Sequence, residues 1–122
     1  MPHLIYVIDD EKPIREVLKR TLEKAAFKVM TFADGREALR QLESLPPQMI
    51  LLDITMPAFS GMDFLDAIQR THPQVPIFML TAVFDVEATK LAISKGARDY
   101  LQKPFDMAYL VRYLKDYLNK AA

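Results

Sequence analysis

Two spacings of apolar residues alternate along the chain. Short runs rich in β-branched and aromatic residues are typical of buried strands, and we predict strands at residues 4–8, 27–32, 49–52, 75–80 and 99–102. The stretches between and after these runs carry apolar residues every three or four positions, which places them on one face of a helix. The pattern therefore predicts strands that alternate with helices, five of each.

Residues that commonly begin or end helices support this assignment. Pro13 suits a first helical turn, and Asp34 with Glu37 three positions later resembles a capping box at the start of the second helix. Gly96 is expected to end the fourth helix with a left-handed cap. The other helix starts are assigned to Ser60, Asp85 and Asp106, and the inward face of the fourth helix to Val86, Leu91 and Ala92.

Strands that alternate with helices favour a parallel sheet, because each connection between parallel strands must cross one face of the sheet. The 122 residues have room for one domain, and they contain no repeat, linker or low-complexity segment. We therefore predict a single α/β domain over residues 1–122, with no output domain. Its fold would be a flavodoxin-like, doubly wound (βα)5 sandwich with strand order 2-1-3-4-5, which binds ligands at the carboxyl ends of its strands.

Composition excludes several classes of protein. The 16 basic and 16 acidic residues cancel, so the whole chain has no net field that would attract nucleic acid or an anionic membrane. There is no cysteine, and hence no disulfide framework or thiolate metal site. No apolar stretch approaches the roughly 18 residues of a membrane span, and acidic residues arrive too early for a signal peptide. These features predict a soluble cytoplasmic protein.

Residues with reactive or ligand-binding groups gather where four of the strands end. Asp9, Asp10 and Glu11 follow the first strand, Asp53 the third, Thr81 and Ala82 the fourth, and Lys103 and Pro104 the fifth. If the first and third strands are neighbours, their carboxylates share a small pocket and raise one another's pKa values unless a cation is bound. Mg²⁺ is held in proteins by one or two carboxylates, water and phosphate oxygens. This edge is therefore predicted to bind Mg²⁺.

The same edge offers groups for a phosphate. Lys103 supplies a positive charge and Thr81 a hydroxyl donor, which together with the metal would surround the oxygens of a transferring phosphoryl group. Asp53 is central and ionised, so it is the predicted nucleophile and would form an aspartyl phosphate. Taken singly, these residues have commoner roles as turn formers, helix caps or solvated charges. Their coincidence on one edge favours a phosphoryl site.

The ordered set of residues resembles the receiver domains of two-component response regulators, over essentially the whole chain. Asp9-Asp10 match the acidic pair of that family and Asp53 its phosphoacceptor, followed by a turn matched by Met56-Pro57 and Gly61. Thr81-Ala82 match the switch hydroxyl and the small residue after it, Tyr100 the switch aromatic, and Lys103-Pro104 the phosphate-contacting lysine and its proline. Singly these motifs are weak, but the ordered set is highly specific.

The resemblance implies a metal site and a phosphoryl donor. Asp10, Asp53 and the main-chain carbonyl of Thr55 would hold Mg²⁺ or Mn²⁺, and Asp9 would act on the ion through water. The donor would be a phosphohistidine on a sensor histidine kinase or a phosphotransfer protein, or a small donor such as acetyl phosphate. Such a domain catalyses only its own phosphorylation and dephosphorylation, so it is a signalling protein rather than a classical enzyme.

The resemblance also implies a conformational switch. Thr81 would move toward the phosphoryl group and leave room for Tyr100 to turn inward, and the peptide bond before Pro104 would be cis. The surface of the fourth helix, fifth strand and fifth helix would then change and regulate a downstream effector. We expect a monomer, or a dimer packed through Tyr109 and Tyr113, which replace charged residues of dimeric relatives; phosphorylation would be the trigger for dimerisation.

Two other classes of function are weighed against this one. A nucleotide or phosphate-ester enzyme would need a glycine-rich phosphate loop or a second acid at residue 55, but the loop after the first strand is acidic and Thr55 occupies that position. A binding module that uses the same fold without phosphorylation would be expected to lack an acid or the lysine, and this chain has all of them. The phosphorylated switch is therefore the preferred interpretation of the sequence.

Overall fold

The computed structural model describes residues 3–53, 61–81, 86–103 and 106–121. Within these ranges the elements follow the order β1 Leu4–Ile8, α1 Lys12–Lys24, β2 Lys28–Phe32, α2 Gly35–Leu42, β3 Met49–Asp53, α3 Gly61–Thr71, β4 Ile77–Thr81, α4 Val86–Ser94, β5 Asp99–Gln102 and α5 Met107–Ala121. Within these ranges, no helix has the length and hydropathy that a membrane span requires.

The strands form one parallel sheet in the order β2-β1-β3-β4-β5. This confirms the predicted fold class and strand order, and it makes β1 and β3 neighbours, with Ile8 opposite Leu52. The strands β3 and β4 are buried along their whole length, as expected for a parallel sheet with helices on both faces. Side chains from α2, α3 and α4 pack on one face, and those from α1 and α5 on the other.

The strand β4 begins two residues later than the sequence predicted, at Ile77. Pro76 has no N–H to donate to a neighbouring strand, and only its carbonyl takes part, accepting a hydrogen bond from Ile50 N at 3.0 Å. Val75 N donates instead to His72 O in the preceding turn, at 3.2 Å. The proline therefore delays the start of the regular ladder.

The predicted inward face of α4 is wrong for two of its three residues. Ala92 is buried, but Val86 and Leu91 are 48% and 47% exposed. The apolar residues of this short helix are spread around its circumference, so their spacing does not define an inward face. The small Ala92 allows the helix to pack closely on the core, which leaves Val86, Leu91 and Ile93 in contact with solvent.

The left-handed cap predicted at Gly96 is confirmed. Gly96 has a φ of 109°, and its N–H donates to Ile93 O while Ala97 N donates to Ala92 O, both at 3.0 Å. This pair of hydrogen bonds satisfies the last carbonyls of α4.

The same hydrogen-bond pattern ends α1, but without glycine. Ala26 N donates to Glu23 O and Phe27 N to Leu22 O, both at 3.1 Å. Ala26 has a φ of 74°, a left-handed conformation in which a Cβ atom crowds the following carbonyl. The end of α1 is therefore strained.

Substitutions at these two caps should change stability in opposite directions. Ala26→Gly is expected to raise the free energy of unfolding by about 0.5 kcal/mol, because relief of the strain exceeds the added flexibility of the unfolded chain. Gly96→Ala should lower it by about 1–2 kcal/mol. Urea unfolding of both variants gives the two values, and changes of the same sign would contradict the assignment.

A second substitution separates the two causes at Gly96. A Cβ atom there would overlap Gln69 Oε1, which is the end of a flexible side chain. Adding Gln69→Ala to Gly96→Ala should therefore recover only a small part of the loss, because the backbone strain persists.

Candidate functional site

The buried polar residues of the described chain all lie at one edge of the sheet. They are Asp9, Asp53 and Thr81, with exposures of 0%, 2% and 7%, and they follow or end β1, β3 and β4. Burying a charged group costs several kcal/mol unless it is paired. The topology thus brings together the side chains that the sequence assigned to one site, and their charges need partners.

Asp9 is held by hydrogen bonds on all its polar atoms. Its backbone N–H donates to Phe32 O at 3.1 Å, and its carbonyl accepts from Arg15 Nη1 at 2.8 Å. Its Oδ1 accepts from Glu11 N at 2.9 Å and its Oδ2 from Lys103 Nζ at 2.8 Å. Asp9 is therefore fixed in place before any ligand binds.

Lys103 is the cation shared by three carboxylates. Its Nζ lies 2.8 Å from Asp9 Oδ2, 3.3 Å from Glu11 Oε1 and 3.8 Å from Asp53 Oδ2. Its backbone N–H donates to Thr81 O at 2.6 Å, which holds the end of β5 beside the end of β4. The predicted phosphate-binding lysine is thus placed next to the predicted nucleophile.

Burial and like charge act together on the acidic residues. Burial raises the pKa of Asp9, and the charge of Asp53 adds to this, although the hydrogen bond from Lys103 opposes it. Loss of water around its carboxyl group and the charge of Asp53 also raise the pKa of Asp10. Burial alone would lower the pKa of Lys103, but its hydrogen bond to Asp9 and the charge of Asp53 outweigh burial and raise it. Such perturbed groups cluster at functional sites.

The donor set at this edge fits a hard cation. Asp9, Asp10, Glu11 and Asp53 each offer one carboxylate oxygen, and these oxygens lie within 4.8 Å of one another. Asp10 and Glu11 are exposed, whereas Asp9 and Asp53 are buried. Carboxylate oxygens are the ligands that Mg²⁺ prefers, and a bound cation would offset the negative charge that Lys103 alone leaves in excess.

The acidic run does not serve as a side-chain cap of α1. Glu11 occupies the N-cap position with an extended backbone, but its side chain makes no capping hydrogen bond. Pro13 lies in the first turn, as predicted. Glu11 instead directs its carboxylate to Lys103.

Some predicted positions lie elsewhere or outside the described residues. Tyr100 is on β5, half-buried, and packs against the cluster formed by α2, α3 and α4. Thr55, Ala82 and Pro104 lie outside the described ranges, so their predicted roles stay predictions.

Two contacts at the site were missed by the sequence analysis. Glu11 was counted among the acids but not as a partner of Lys103, and Arg15 was not considered at all. No signal in the sequence singles out Arg15, because Lys12 is also a cation at the start of α1. The structure shows that the guanidinium of Arg15 donates to the carbonyl of Asp9.

Comparisons with known proteins agree with this geometry. Residues 5–115 match the family model of the response regulator receiver domain. The transcriptional regulator NtrC of Escherichia coli (strain K12) is 41% identical over 104 residues, which cover 85% of this chain but only 22% of NtrC.

Solved structures extend the likeness to nearly the whole chain. The chemotaxis protein CheY4 of Vibrio cholerae gives a TM-score of 0.89 at 31% identity, covering 95% of this chain and 98% of CheY4. A beryllofluoride-activated NtrC4 receiver domain dimer also gives 0.89, at 29% identity, with 98% of both chains covered. The chain belongs to the response regulator receiver domain family, whose members are signalling domains of two-component systems.

Proposed function

We propose that this domain is a phosphorylation switch of the cytoplasm in which Asp53 accepts a phosphoryl group from a sensor histidine kinase, a phosphotransfer protein or a small donor such as acetyl phosphate. The position of Asp53 carries the proposal. It ends a fully buried strand, its Oδ2 lies 3.8 Å from a lysine ammonium, and it belongs to a carboxylate cluster that reaches the surface through Asp10. A carboxylate so placed is suited to nucleophilic attack.

The proposed reaction is a direct phosphoryl transfer. A carboxylate oxygen of Asp53 attacks the phosphorus of the donor phosphohistidine, and the new O–P bond forms as the P–N bond breaks. The imidazole leaves with a proton from solvent, and Asp53 becomes an acyl phosphate. Lys103 balances the charge of the phosphoryl oxygens, and because Asp9 and Glu11 already hold its Nζ near Asp53, little reorganisation is needed.

We propose that Asp10, Asp53 and the main-chain carbonyl of Thr55 bind Mg²⁺ or Mn²⁺, with Asp9 acting through water. The support is that Asp10 is exposed, whereas both carboxylate oxygens of Asp9 are already bonded within the chain. When bound, Mg²⁺ would neutralise charge on the phosphoryl oxygens and align them with Asp53.

Metal binding should distinguish the two members of the acidic pair. Asp10→Ala is expected to lower Mg²⁺ affinity strongly, because a small site cannot spare one of its direct carboxylates. Asp9→Ala should weaken binding less, by about 10-fold or more, as for other residues that act on a metal indirectly. Calorimetric titration of Mg²⁺ measures both effects, and equal binding by parent, Asp9→Ala and Asp10→Ala would refute the assignment.

The mass of the intact protein after incubation with acetyl phosphate and Mg²⁺ tests the proposed function. A phosphorylated switch gains the mass of one phosphoryl group, and the gain is lost on standing as the acyl phosphate hydrolyses. A module that only binds partners gains nothing, and a hydrolase consumes acetyl phosphate without retaining the group. Either of the last two results would overturn the proposal.

We propose that Thr81 and Tyr100 couple phosphorylation to the surface of α4, β5 and α5. Thr81 is buried at the end of β4, and its carbonyl is bonded to Lys103 N, so it lies between the site and β5. Thr81→Ala should still accept a phosphoryl group but fail to change the environment of Tyr100. Amide NMR with beryllofluoride and Mg²⁺ checks this, and long-range changes equal to those of the parent would contradict it.

We propose that residues 1–122 act as one switching unit and regulate a downstream effector. Asp99 favours a monomer in the absence of phosphorylation. Its carboxylate accepts a hydrogen bond from Tyr113 of the same chain, so this contact competes with pairing to a second copy. Light scattering with and without beryllofluoride measures the association, and a dimer in the absence of beryllofluoride would exclude this state.

A further inference from the structure

Tyr113 on α5 contacts β4 and β5 at one position along the sheet. Its hydroxyl donates to Asp99 Oδ2 at 2.7 Å, and its ring packs edge-on against Phe78, with centroids 5.7 Å apart. Phe78 and Asp99 are paired across β4 and β5. Tyr113 therefore links α5 to both strands at the same rung of the sheet.

Asp99 connects this tyrosine to the backbone of the predicted switch residue. Its Oδ1 accepts a hydrogen bond from Tyr100 N at 2.8 Å, while its Oδ2 accepts from Tyr113. β5 is an edge strand, so backbone groups on its outer side have no neighbouring strand to bond to. The two oxygens of one carboxylate thus join the backbone of β5 to α5.

The two tyrosines lie on opposite faces of the sheet. Tyr100 packs against the cluster of α2, α3 and α4, and Tyr113 against the cluster of α1 and α5. Successive side chains of a strand point to opposite faces, so a movement of Tyr100 needs a link through the strand to reach α5. Asp99, the preceding residue, occupies the position for such a link.

We propose that the Tyr113–Asp99 hydrogen bond is a latch that transmits movement of Tyr100 to α5, with Tyr113 acting as a positioning residue. The inference rests on the proposed function and names the residues that carry its signal across the sheet. Burial and the hydrogen bond to Asp99 raise the pKa of Tyr113 well above its usual value, so the hydroxyl keeps its proton and stays a donor.

The chain offers a matched control for this latch. Tyr117 also packs edge-on against Phe78, with centroids 5.0 Å apart, but among the described residues its hydroxyl has no hydrogen-bond partner. Tyr113→Phe and Tyr117→Phe therefore each remove one hydroxyl from similar ring contacts, and only Tyr113→Phe breaks the link to Asp99. Asp99→Ala breaks the same link from its other end.

Amide NMR with beryllofluoride and Mg²⁺ tests the proposal. In the parent and in Tyr117→Phe, amides of residues 109–117 should shift on addition of beryllofluoride. In Tyr113→Phe and Asp99→Ala those shifts should fall below about half of the parent value, since a hydrogen bond to a charged group is lost, while shifts next to Asp9 and Asp53 persist.

Each other outcome overturns a specific statement. If Tyr113→Phe shifts α5 as the parent does, the latch is wrong although the switch stands. If Tyr113→Phe and Tyr117→Phe lose the α5 shifts equally, the effect is general loosening of α5, and the latch is again wrong. A parent protein that gains no phosphoryl mass from acetyl phosphate refutes the proposed function, and the latch with it.

Discussion

Asp53→Asn is expected to abolish phosphorylation while leaving the fold intact. Asparagine has nearly the shape of aspartate, but its amide lacks the anionic oxygen that attacks phosphorus. Asp53 is buried at the end of β3, beside Lys103 and the acidic pair. Because asparagine fills nearly the same volume there, the substitution leaves no cavity. Intact-mass measurement after incubation with acetyl phosphate and Mg²⁺ should show no added phosphoryl group, and circular dichroism should match the parent.

A surface aspartate gives the control for this variant. Asp66 is half-buried, with its side chain 45% exposed, and it pairs with Lys95 at 2.6 Å, away from the acidic cluster. Asp66→Asn should be labelled like the parent. Stable labelling of Asp53→Asn would show that another residue is the acceptor, and loss of labelling in both variants would show that the assay reports a general effect of charge.

Asp53→Asn should also change the pKa values of the two neighbouring acidic residues, Asp9 and Asp10. The charge of Asp53 contributes to the raised pKa values of Asp9 and Asp10, so both pKa values should fall when residue 53 becomes neutral. Carboxyl carbon NMR over a pH titration measures the two values. This measurement tests the electrostatic interaction of Asp53 with Asp9 and Asp10, and it requires no phosphoryl donor.

Sequence periodicity was sufficient to predict the convergence of the site. Parallel topology alone brings the ends of β1, β3, β4 and β5 to one edge, so the sequence is enough to assign Asp9, Asp53 and Lys103 to one pocket. The bounds of β1 and β5 were also predicted correctly. β1 is an apolar run that stops at Asp9, and β5 has an apolar centre, Tyr100 and Leu101, between the Gly96 helix cap and Lys103.

Hydrophobic periodicity could not predict which side chains contact one another. A lysine side chain has several rotatable bonds, and nothing in its spacing predicts that Lys103 lies nearer to Asp9 and Glu11 than to Asp53. The exposure of Leu91 was mispredicted for a related reason: tertiary packing through Ala92 decides which side of α4 faces the core. Sequence therefore located the site, and packing determined its internal contacts.

Lys103→Ala is expected to reduce stability more than any other lysine substitution considered, by about 3 kcal/mol in the absence of Mg²⁺. Its side chain is 9% exposed, and its removal leaves the buried carboxylates of Asp9 and Asp53 without their shared cation. Removing one partner of a buried ion pair is costly because the remaining charge is uncompensated. Urea unfolding without metal measures the loss.

Lys95→Ala is the matched control, because Lys95 also binds an aspartate closely but on the surface. Lys95 Nζ lies 2.6 Å from Asp66 Oδ1, with side-chain exposures of 26% and 45%, and exposed pairs contribute at most about 1 kcal/mol. Adding Mg²⁺ should restore much of the stability of Lys103→Ala and none of that of Lys95→Ala, since only the first variant lacks a cation at the acidic cluster.

Mg²⁺ should also bind Lys103→Ala more tightly than the parent, because a competing positive charge is gone. Labelling by acetyl phosphate should nevertheless slow by about 10²-fold, since the phosphoryl oxygens lose a preorganised charge partner. Tighter metal binding with slower labelling would separate the two roles of the pocket; labelling at the parent rate would show that Lys103 serves only to hold the carboxylates together.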